Sequence, residues 1–331
     1  MKIQLICKKI GRMESVLIKK TIKNKLKKNL LVVYIWNEYR RIHGNREAKK
    51  ITDKEFIISE YRRRTGNDLS LKNPIRFTEK LQWLKLFYRD DVMEKCSDKY
   101  TARFYVEEQG HKELLNDLIG VYDDVNEIDF DKLPNQFVLK VSHVGGWNIV
   151  CKDKTKLNWF MYKKIIKSWM KQNLYVYGRE WNYKNLTPKI IIEKYIDSGD
   201  GQLTDYKIFC FNGNPEFVQV DRDRFQGHKR AFYSMEWEKL DFSTGYDTVD
   251  EQCPCELGKM KKLAAEFVER FAFVRVDFYN VGKEIYFGEF TYFPDCGFYK
   301  YDPDKWDYYW GRLLELPQEN YNKELLAKIV N

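Results

Sequence analysis

Two apolar runs toward the C-terminal end, VRVDFY at 274–279 and EIYFGEF at 284–290, constrain the fold more than any other stretch. Both alternate with a period of two, as a strand does when successive side chains leave opposite faces. Arg275, Asp277, Glu289 and Thr291 carry odd numbers, and Val274, Val276, Phe278, Gly288 and Phe290 fill the even ones. A connecting loop with an odd number of residues, such as 280–284, sets Asp277 and Glu289 on one face of a hairpin. An even loop sets them on opposite faces. Carboxylates projecting together beside an Arg suit an oxygen-ligated Mg²⁺ that bridges phosphates. The alternative is the exposed polar face of an edge hairpin, which does not need Asp and Glu so deep in strands this apolar.

The remaining pattern mixes helices with antiparallel strands. Residues 52–120 read mainly as helices, with Thr78 and Ser97 in N-cap positions. FVLKV at 137–141 and WNIVC at 147–151 flank a Gly-Gly turn and predict a hairpin. A helix is expected over 157–172 and another over 259–271. Strands are expected at 189–196, 206–212 and 216–220, the last two joined by the turn signal Asn212-Gly-Asn-Pro215. No repeats or low-complexity tracts interrupt the chain. Regular βαβ alternation is missing, so the fold class is α+β with antiparallel sheets.

Charge is unevenly placed. Residues 1–50 carry 15 Lys and Arg against 3 Asp and Glu, while the rest carry 43 against 46. Within residues 14–36, Ile18, Ile22, Leu26, Leu30 and Val33 follow one another at helical spacing, with Lys19, Lys20, Lys23, Lys27 and Lys28 mostly off that stripe. One reading is a cationic amphipathic helix in peripheral contact with an anionic membrane surface. The other is a helix docked on its own domain with a solvated basic face. Nucleic acid is not an expected partner, because the basic run lacks interleaved aromatics. Seven scattered cysteines, an odd number, argue against a disulfide framework and for a reducing, cytoplasmic compartment. Cys253-Pro-Cys255 has no second Cys or His pair at zinc spacing. Neither a secretory signal nor an apolar run of membrane-spanning length is read in the chain.

Lys140 ends an apolar strand and precedes Ser142-His-Val-Gly145-Gly146. A lysine beside a small flexible loop can cradle phosphate, supplying charge and close backbone N–H groups. A Gly-Gly turn with an incidental lysine has the same letters. Neither a Walker A loop nor G-x-G-x-x-G occurs. Ile190-Ile-Ile-Glu193-Lys-Tyr195-Ile196 can hold adenine, its backbone meeting the base edge and Ile and Tyr195 covering the faces, or can be a core strand with a surface Glu.

Taken in order, Asp98-Lys99, Phe137-Val-Leu-Lys140, Ile192-Glu193-Lys194-Tyr195-Ile196, Arg275-Val-Asp277-Phe278 and Glu289-Phe-Thr291-Tyr-Phe-Pro294 resemble the ATP-grasp superfamily, which includes the D-alanine–D-alanine ligases. More closely, FTEKLQWLKLFYRD, SDKYTARFYV, FVLKVSH-x-GGWN, REWNYKN, DYKIFCFNG and VQVDRDRFQGHKR resemble the TupA-like ATP-grasp family over roughly residues 70–312. That family is associated with bacterial capsular and cell-wall polysaccharide synthesis. The resemblance implies an ATP-grasp fold, in which two α+β subdomains grip ATP. Residues 1–50 form a basic helical region, 51–120 a helical region, 121–196 a small subdomain and 197–331 a large one with the metal site.

It also implies roles. Lys99 and Lys140 bind ATP phosphates under the loop of Ser142, Gly145 and Gly146. Glu193, Tyr195 and Ile196 meet the adenine, Asp205 takes the ribose hydroxyls, and Lys207 lies near the nucleotide. Asp277 and Glu289 hold Mg²⁺, with Arg275 facing the transferred phosphoryl group or the tetrahedral intermediate. Thr291 stands where the superfamily has a metal-binding Asn, and the N-terminal substrate domain of the superfamily is not visible. From the residues themselves, Lys229 and Arg230, with Arg222 and Arg224, read as a cationic cluster suited to an anionic small-molecule or glycan acceptor or to the γ-phosphate, or else as a solvated basic loop. The expected activity is joining a carboxylate to an amine or thiol through an acyl-phosphate. Alternatives are a glycosyltransferase using Asp221-Arg222-Asp223 as a DxD motif, and an ATP-dependent sugar phosphotransferase. Expected placement is cytoplasmic, on the inner face of the membrane if residues 14–36 contact it.

Overall fold

Backbone alternation and turn chemistry set the order of elements. A computed structural model describes residues 29–199, 203–222, 228–318 and 322. In chain order the elements are α1 (Leu30–Ala48), α2 (Asp53–Thr65), α3 (Phe77–Phe87), α4 (Asp91–Ser97), α5 (Thr101–Glu108), β1 (Leu118–Tyr122), β2 (Phe137–Val141), β3 (Asn148–Cys151), α6 (Trp159–Met170), β4 (Ile190–Lys194), β5 (Asp205–Phe211), β6 (Asn214–Arg222), β7 (Lys229–Ser234), α7 (Leu257–Val268), β8 (Phe273–Val281), β9 (Glu284–Thr291) and α8 (Lys305–Leu313). They divide into two compact units. The first takes residues 29–51, 118–177 and 187–195, and the second takes 52–117, 178–186 and the chain from 196 on. The helices of 52–117 are therefore not a separate layer in sequence order; they belong with the large sheet.

The first unit is built on an antiparallel sheet ordered β1-β4-β2-β3. In β2, Phe137, Leu139 and Val141 are buried while Val138 and Lys140 are half-buried, the period-2 pattern of a sheet covered on one face. Ile165, Ile166 and Trp169 of α6 pack with the buried set, and Leu30, Val33 and Tyr34 of α1 join the same core. Asn29 caps α1, its Oδ1 accepting from Leu31 N (3.1 Å) and Val32 N (3.4 Å). Of the apolar stripe anticipated within 14–36, Leu30 and Val33 pack on the core of this unit; residues 14–28, with the lysines of that stretch, lie outside the described residues. No helix among the described residues is long and apolar enough to cross a membrane.

The second unit carries an antiparallel sheet ordered β7-β6-β5-β8-β9. The β5–β6 turn is Asn212-Gly213, both at positive φ (48° and 82°), matching the twist of a two-residue hairpin. Every residue of β5 is buried, so this strand is covered on both faces. Its even-numbered side chains share a face with Phe278, which stacks on Phe267 of α7. Its odd-numbered face is divided along the strand. One end, Phe209 and Phe211, joins Phe217, Phe273, Phe77 of α3 and Trp310 of α8 in an aromatic cluster with ring centroids 4.3–6.2 Å apart. The other end is charged.

Helix α3 begins one residue earlier than the anticipated cap. Arg76 precedes it and Thr78 lies inside, donating through N and Oγ1 to the carboxylate of Asp307 on α8 (2.9 and 2.7 Å). Strands β1 and β7 and helix α8 lie outside the sequence expectations; β1 begins in a stretch read mainly as helix, and the buried positions of α8 are Asp307, Trp310 and Gly311, which form no apolar stripe. Gly311 of α8 sits where a Cβ would lie 2.1 Å from Ile75 O and 2.7 Å from Phe77 N. Gly311→Ala should therefore destabilise the protein by ~1–3 kcal/mol, read as a lowered denaturation midpoint in urea with an unchanged slope.

Candidate functional site

Polar side chains in apolar strands need partners, and those partners organise each unit's charged face. In the first unit, Lys140 and Glu193 stand on the face opposite the helices, since Val138 is in direct register with Glu193. Lys140 Nζ lies 2.5 Å from Glu193 Oε2, and both are largely buried. The Glu193 carboxylate therefore serves the lysine rather than standing free at the strand end. The loop after β2 is anchored at its start. Ser142 is buried and exchanges two bonds with Lys189, its N donating to Lys189 O (2.8 Å) and its Oγ accepting from Lys189 N (3.0 Å). His143 Nε2 lies 3.1 Å from Gln172 O, and Val144 is buried. Gly145 and Gly146 form the exposed tip, Gly146 at φ +74°, with open space where a Cβ would stand on either. Tyr195 belongs to this unit and Ile196 to the other.

The hairpin β8–β9 has a connection of even length. Val281 pairs with Glu284 across the two residues Gly282-Lys283, which by parity alone would set Asp277 opposite Gly288. A bulge between Asp277 and Phe278 shifts the register by one, so Asp277 pairs directly with Glu289, and Arg275 with Thr291. The extra residue is Gly288, and a Cβ there would lie 2.9 Å from Asp277 O. The carboxylates share a face because of this glycine, not because of an odd loop.

Around that pair the charges interlock. Arg275 donates twice to Asp277 (Nε–Oδ1 2.6 Å, Nη2–Oδ2 2.8 Å), once to Thr291 Oγ1 (3.0 Å), and reaches Glu289 Oε1 at 3.6 Å. Lys207 Nζ, on β5, lies 2.6 Å from both Asp277 Oδ2 and Asp205 Oδ2. Asp205, Lys207 and Asp277 are each no more than 3% exposed, so Asp205 is a buried partner of Lys207 rather than an open hydroxyl acceptor. Lys99 Nζ lies 3.2 Å from Glu289 Oε2. The turn that aims Lys99 is fixed by Asp98, whose Oδ1 accepts from Tyr100 N and Thr101 N as a cap for α5. Burial pushes the Asp277 carboxyl above the ordinary range against the pull of Arg275 and Lys207. For Glu289 burial acts the same way, but Lys99, Arg275 and Lys207 outweigh it and hold the carboxyl at about 2.

Both oxygens of Asp277 are taken by Arg275 and Lys207, so the accessible hard oxygen donors here are Glu289, its side chain 31% exposed, and the nearby Thr291 hydroxyl. Mg²⁺ is held in such sites by one or two carboxylates together with phosphate oxygens and water. Among the described residues no three His, Cys, Asp or Glu side chains cluster as a metal site, so such an ion would depend on oxygens from outside the chain. The residues fit the ion on those terms.

At the far side of the same sheet face, Asp221 is 2% exposed and saturated. Arg230 Nε and Gln219 Nε2 donate to its two oxygens (2.8 and 2.9 Å), and His228 Nε2 lies 2.9 Å from Oδ1. A DxD reading needs this carboxylate for a metal, and here it holds protein; Asp223 and Arg224 lie outside the described residues. Arg222 forms a bidentate pair with Glu251 (2.7 and 3.1 Å), Arg230 also donates to Thr244, and Lys229 is exposed. The cationic cluster expected at 222–230 is thereby tied into the sheet rather than gathered. Residues that sequence reasoning passed over include Gly288, whose only signal was a glycine inside a strand, and Tyr299, buried within electrostatic reach of Asp295, Arg230, Arg275 and Asp221.

The Lys99–Glu289 pair yields a pH-dependent prediction. Glu289 is depressed in the folded state from an ordinary 4.5, so its contribution to stability is present above that value and lost as the pH falls toward 2. Lys99→Met should raise the Glu289 pKa in a ¹³C carboxyl titration. The stability advantage of the wild type over the variant should be full above pH ~5 and shrink on acidification.

The family model described as TupA-like ATPgrasp matches residues 79–315. No curated protein matches the chain. Among solved structures it is similar to D-alanine–D-alanine ligase from Helicobacter pylori, at 16% identity over 76% of this chain and 68% of that one, TM-score 0.37. It is also similar to D-alanine–D-alanine ligase from Bacillus anthracis, at 20% identity over 59% and 56%, TM-score 0.35. The ADP complex of N5-carboxyaminoimidazole ribonucleotide synthetase stands at 15% identity over 64% and 49%, TM-score 0.36. The chain spans about half of the latter two proteins, and likeness at this distance says nothing of substrate. The family match covers well over half of the sequence, and the chain belongs to the TupA-like ATP-grasp family, with the α+β, antiparallel-sheet fold class expected from its residues.

Proposed function

We propose that this ATP-grasp enzyme is an ATP- and Mg²⁺-dependent ligase that joins a carboxylate to an amine or thiol through an acyl-phosphate, acting on an anionic acceptor in capsular or cell-surface polysaccharide synthesis. The observation that carries the reading is the Asp277–Glu289 pair, in direct register with Arg275 reaching both. Phosphoryl transfer to a carboxylate is chiefly a matter of position and charge neutralisation. A bound Mg²⁺ would supply charge on the phosphate oxygens and a template for them. The residues supply the rest. Asp277 is held immobile by Arg275 and Lys207, so a ligand at its edge meets a pre-set geometry. Glu289 stays ionised at neutral pH. Lys99, bound now to Glu289, is the cation that a polyphosphate could attract, and Lys140 has the same relation to Glu193.

Arg275 has its charge committed to Asp277 and one reach left toward Glu289, suiting it to a transferred phosphoryl group. The Gly145-Gly146 tip leaves room for backbone N–H groups to approach phosphate oxygens. In this reading Glu193, Tyr195 and Ile196 serve the adenine end, with Glu193 acting through its backbone because its carboxylate is taken. The polysaccharide setting is supported by the family resemblance alone.

The test is nucleotide turnover with Mg²⁺, a panel of uronic-acid and amino-acid carboxylates, and amine acceptors. ADP and phosphate formed only when a carboxylate and an amine are both present are expected. A phosphate ester on a sugar hydroxyl would identify a phosphotransferase instead, and UDP release from a UDP-sugar without ATP use would identify a glycosyltransferase. Lys140→Ala and Glu289→Ala should each lower turnover by at least ~10²-fold with the fold intact by circular dichroism. Undiminished turnover in either variant removes that residue from the site.

A further inference from the structure

Helix α1 is apolar on two sides. Leu30, Val33 and Tyr34 turn inward to the core of the first unit. Leu31, Ile35, Tyr39 and Ile42 follow one another at steps of four, four and three, which places them together on another face. That face looks outward. Leu31, Ile42 and Tyr39 are 54%, 45% and 36% exposed, and Trp36, half-buried at the edge of the stripe, stacks on Tyr39 with ring centroids 5.7 Å apart. Contacts within the unit fix the roll of the helix. Glu38 Oε1 accepts from Ser168 Oγ of α6 (2.6 Å), Asn37 O accepts from Gln172 Nε2 (2.9 Å), and Arg40 lies 4.5 Å over the Tyr177 ring. The stripe anticipated from the sequence is therefore the inward one where it is described, and a second stripe is left facing out.

A contiguous row of large apolar side chains on a surface marks an interaction site, and charge identifies the partner. Arg46 stands four residues after Ile42 and Lys49 three further on, so both continue the outward face, and both are exposed. At the other end the chain enters α1 from residues 1–28, which hold ten Lys and Arg against one Glu. Positive charge thus flanks the stripe on both sides. A second copy of the chain seated on this face would set those like charges against one another. Aliphatic residues with Trp and Tyr at their edge and basic residues beyond them are the composition of a helix lying in a headgroup layer. We propose that the outer face of α1 docks on an anionic lipid bilayer, with Leu31, Ile35, Tyr39 and Ile42 entering the boundary between headgroups and acyl chains and Arg46 and Lys49 meeting lipid phosphates. The helix lies on the bilayer rather than spanning it, since Glu38, Arg40 and Arg41 interrupt its apolar run. The contact is independent of the ligase reading.

The test is co-sedimentation of the full chain with vesicles of phosphatidylcholine mixed with phosphatidylglycerol, and with vesicles of phosphatidylcholine alone. The wild type should partition onto the mixed vesicles ~10-fold or more strongly than onto the neutral ones. Basic residues ahead of α1 attract anionic lipid by themselves, so the deciding variant keeps every charge. Leu31→Ser with Ile42→Ser should weaken binding to the mixed vesicles by ~10-fold or more, with an unchanged circular dichroism spectrum. Arg46→Gln with Lys49→Gln, which keeps the stripe, should also bind more weakly and lose affinity less steeply with added salt. Wild-type affinity in either double variant, or a wild type that does not sediment with the mixed vesicles, overturns the proposal. So does a wild-type dimer in sedimentation velocity that Leu31→Ser with Ile42→Ser dissociates, which would assign the stripe to a second copy.

Discussion

Lys207 is the ammonium on which the large sheet turns. It sits on a strand buried on both faces, and water cannot screen it there. Removing such a charge from solvent costs several kcal/mol, recovered only where counter-charges meet it with good geometry. Asp205 on its own strand and Asp277 on the next provide them, and Arg275, Glu289 and Lys99 extend the set to three acids and three bases. Neutrality in this group ties β5, β8, β9 and the start of α5 together. Losing one member would leave its neighbour buried and uncompensated. The same constraint makes the group a rigid platform, since no side chain can rotate without breaking a charge-assisted bond.

A single sheet face therefore does two jobs along its length. Where Phe209, Phe211, Phe217 and Phe273 line it, α3 and α8 seal it with aromatic rings, and stability comes from area removed from water. Where Lys207, Asp277 and Glu289 line it, burial of charge is only balanced by counter-charge. Helix α3 serves both ends of this arrangement. Phe77 enters the aromatic cluster, and Gln82 and Lys85 donate to the carbonyls of Gly297 and Cys296 in the turn after β9.

Much of this was legible in the residues. Apolar runs beside turn signals located β2, β3, β4, β5 and β6, period-2 alternation located β8 and β9, and Asn212-Gly213 fixed a turn, because these signals are local. The family followed from motifs in order. The hairpin parity was legible only by coincidence. An even turn and one bulged glycine restore the odd numbering of Asp277 and Glu289, and no local pattern separates that from an odd loop. Partner choice was the hidden part. Asp221 looked like half of a metal motif, yet its oxygens go to Gln219, His228 and Arg230, a pairing set by the β6–β7 register. Likewise nothing near Pro294 announces that Asp295, Cys296 and Gly297 all take positive φ, because the groups that hold this turn lie on α3, more than two hundred residues earlier.

The way the hairpin reaches its register has an evolutionary corollary. Turn length and the bulge at Gly288 are two half-steps whose sum, not either alone, keeps the acids together. A descendant that gained one residue between Val281 and Glu284 could discard the bulge and free position 288 for any side chain. One that gained the residue and kept the bulge would turn Glu289 to the opposite side of the sheet. Insertions and deletions in this tip should therefore be tolerated singly only when the glycine changes with them.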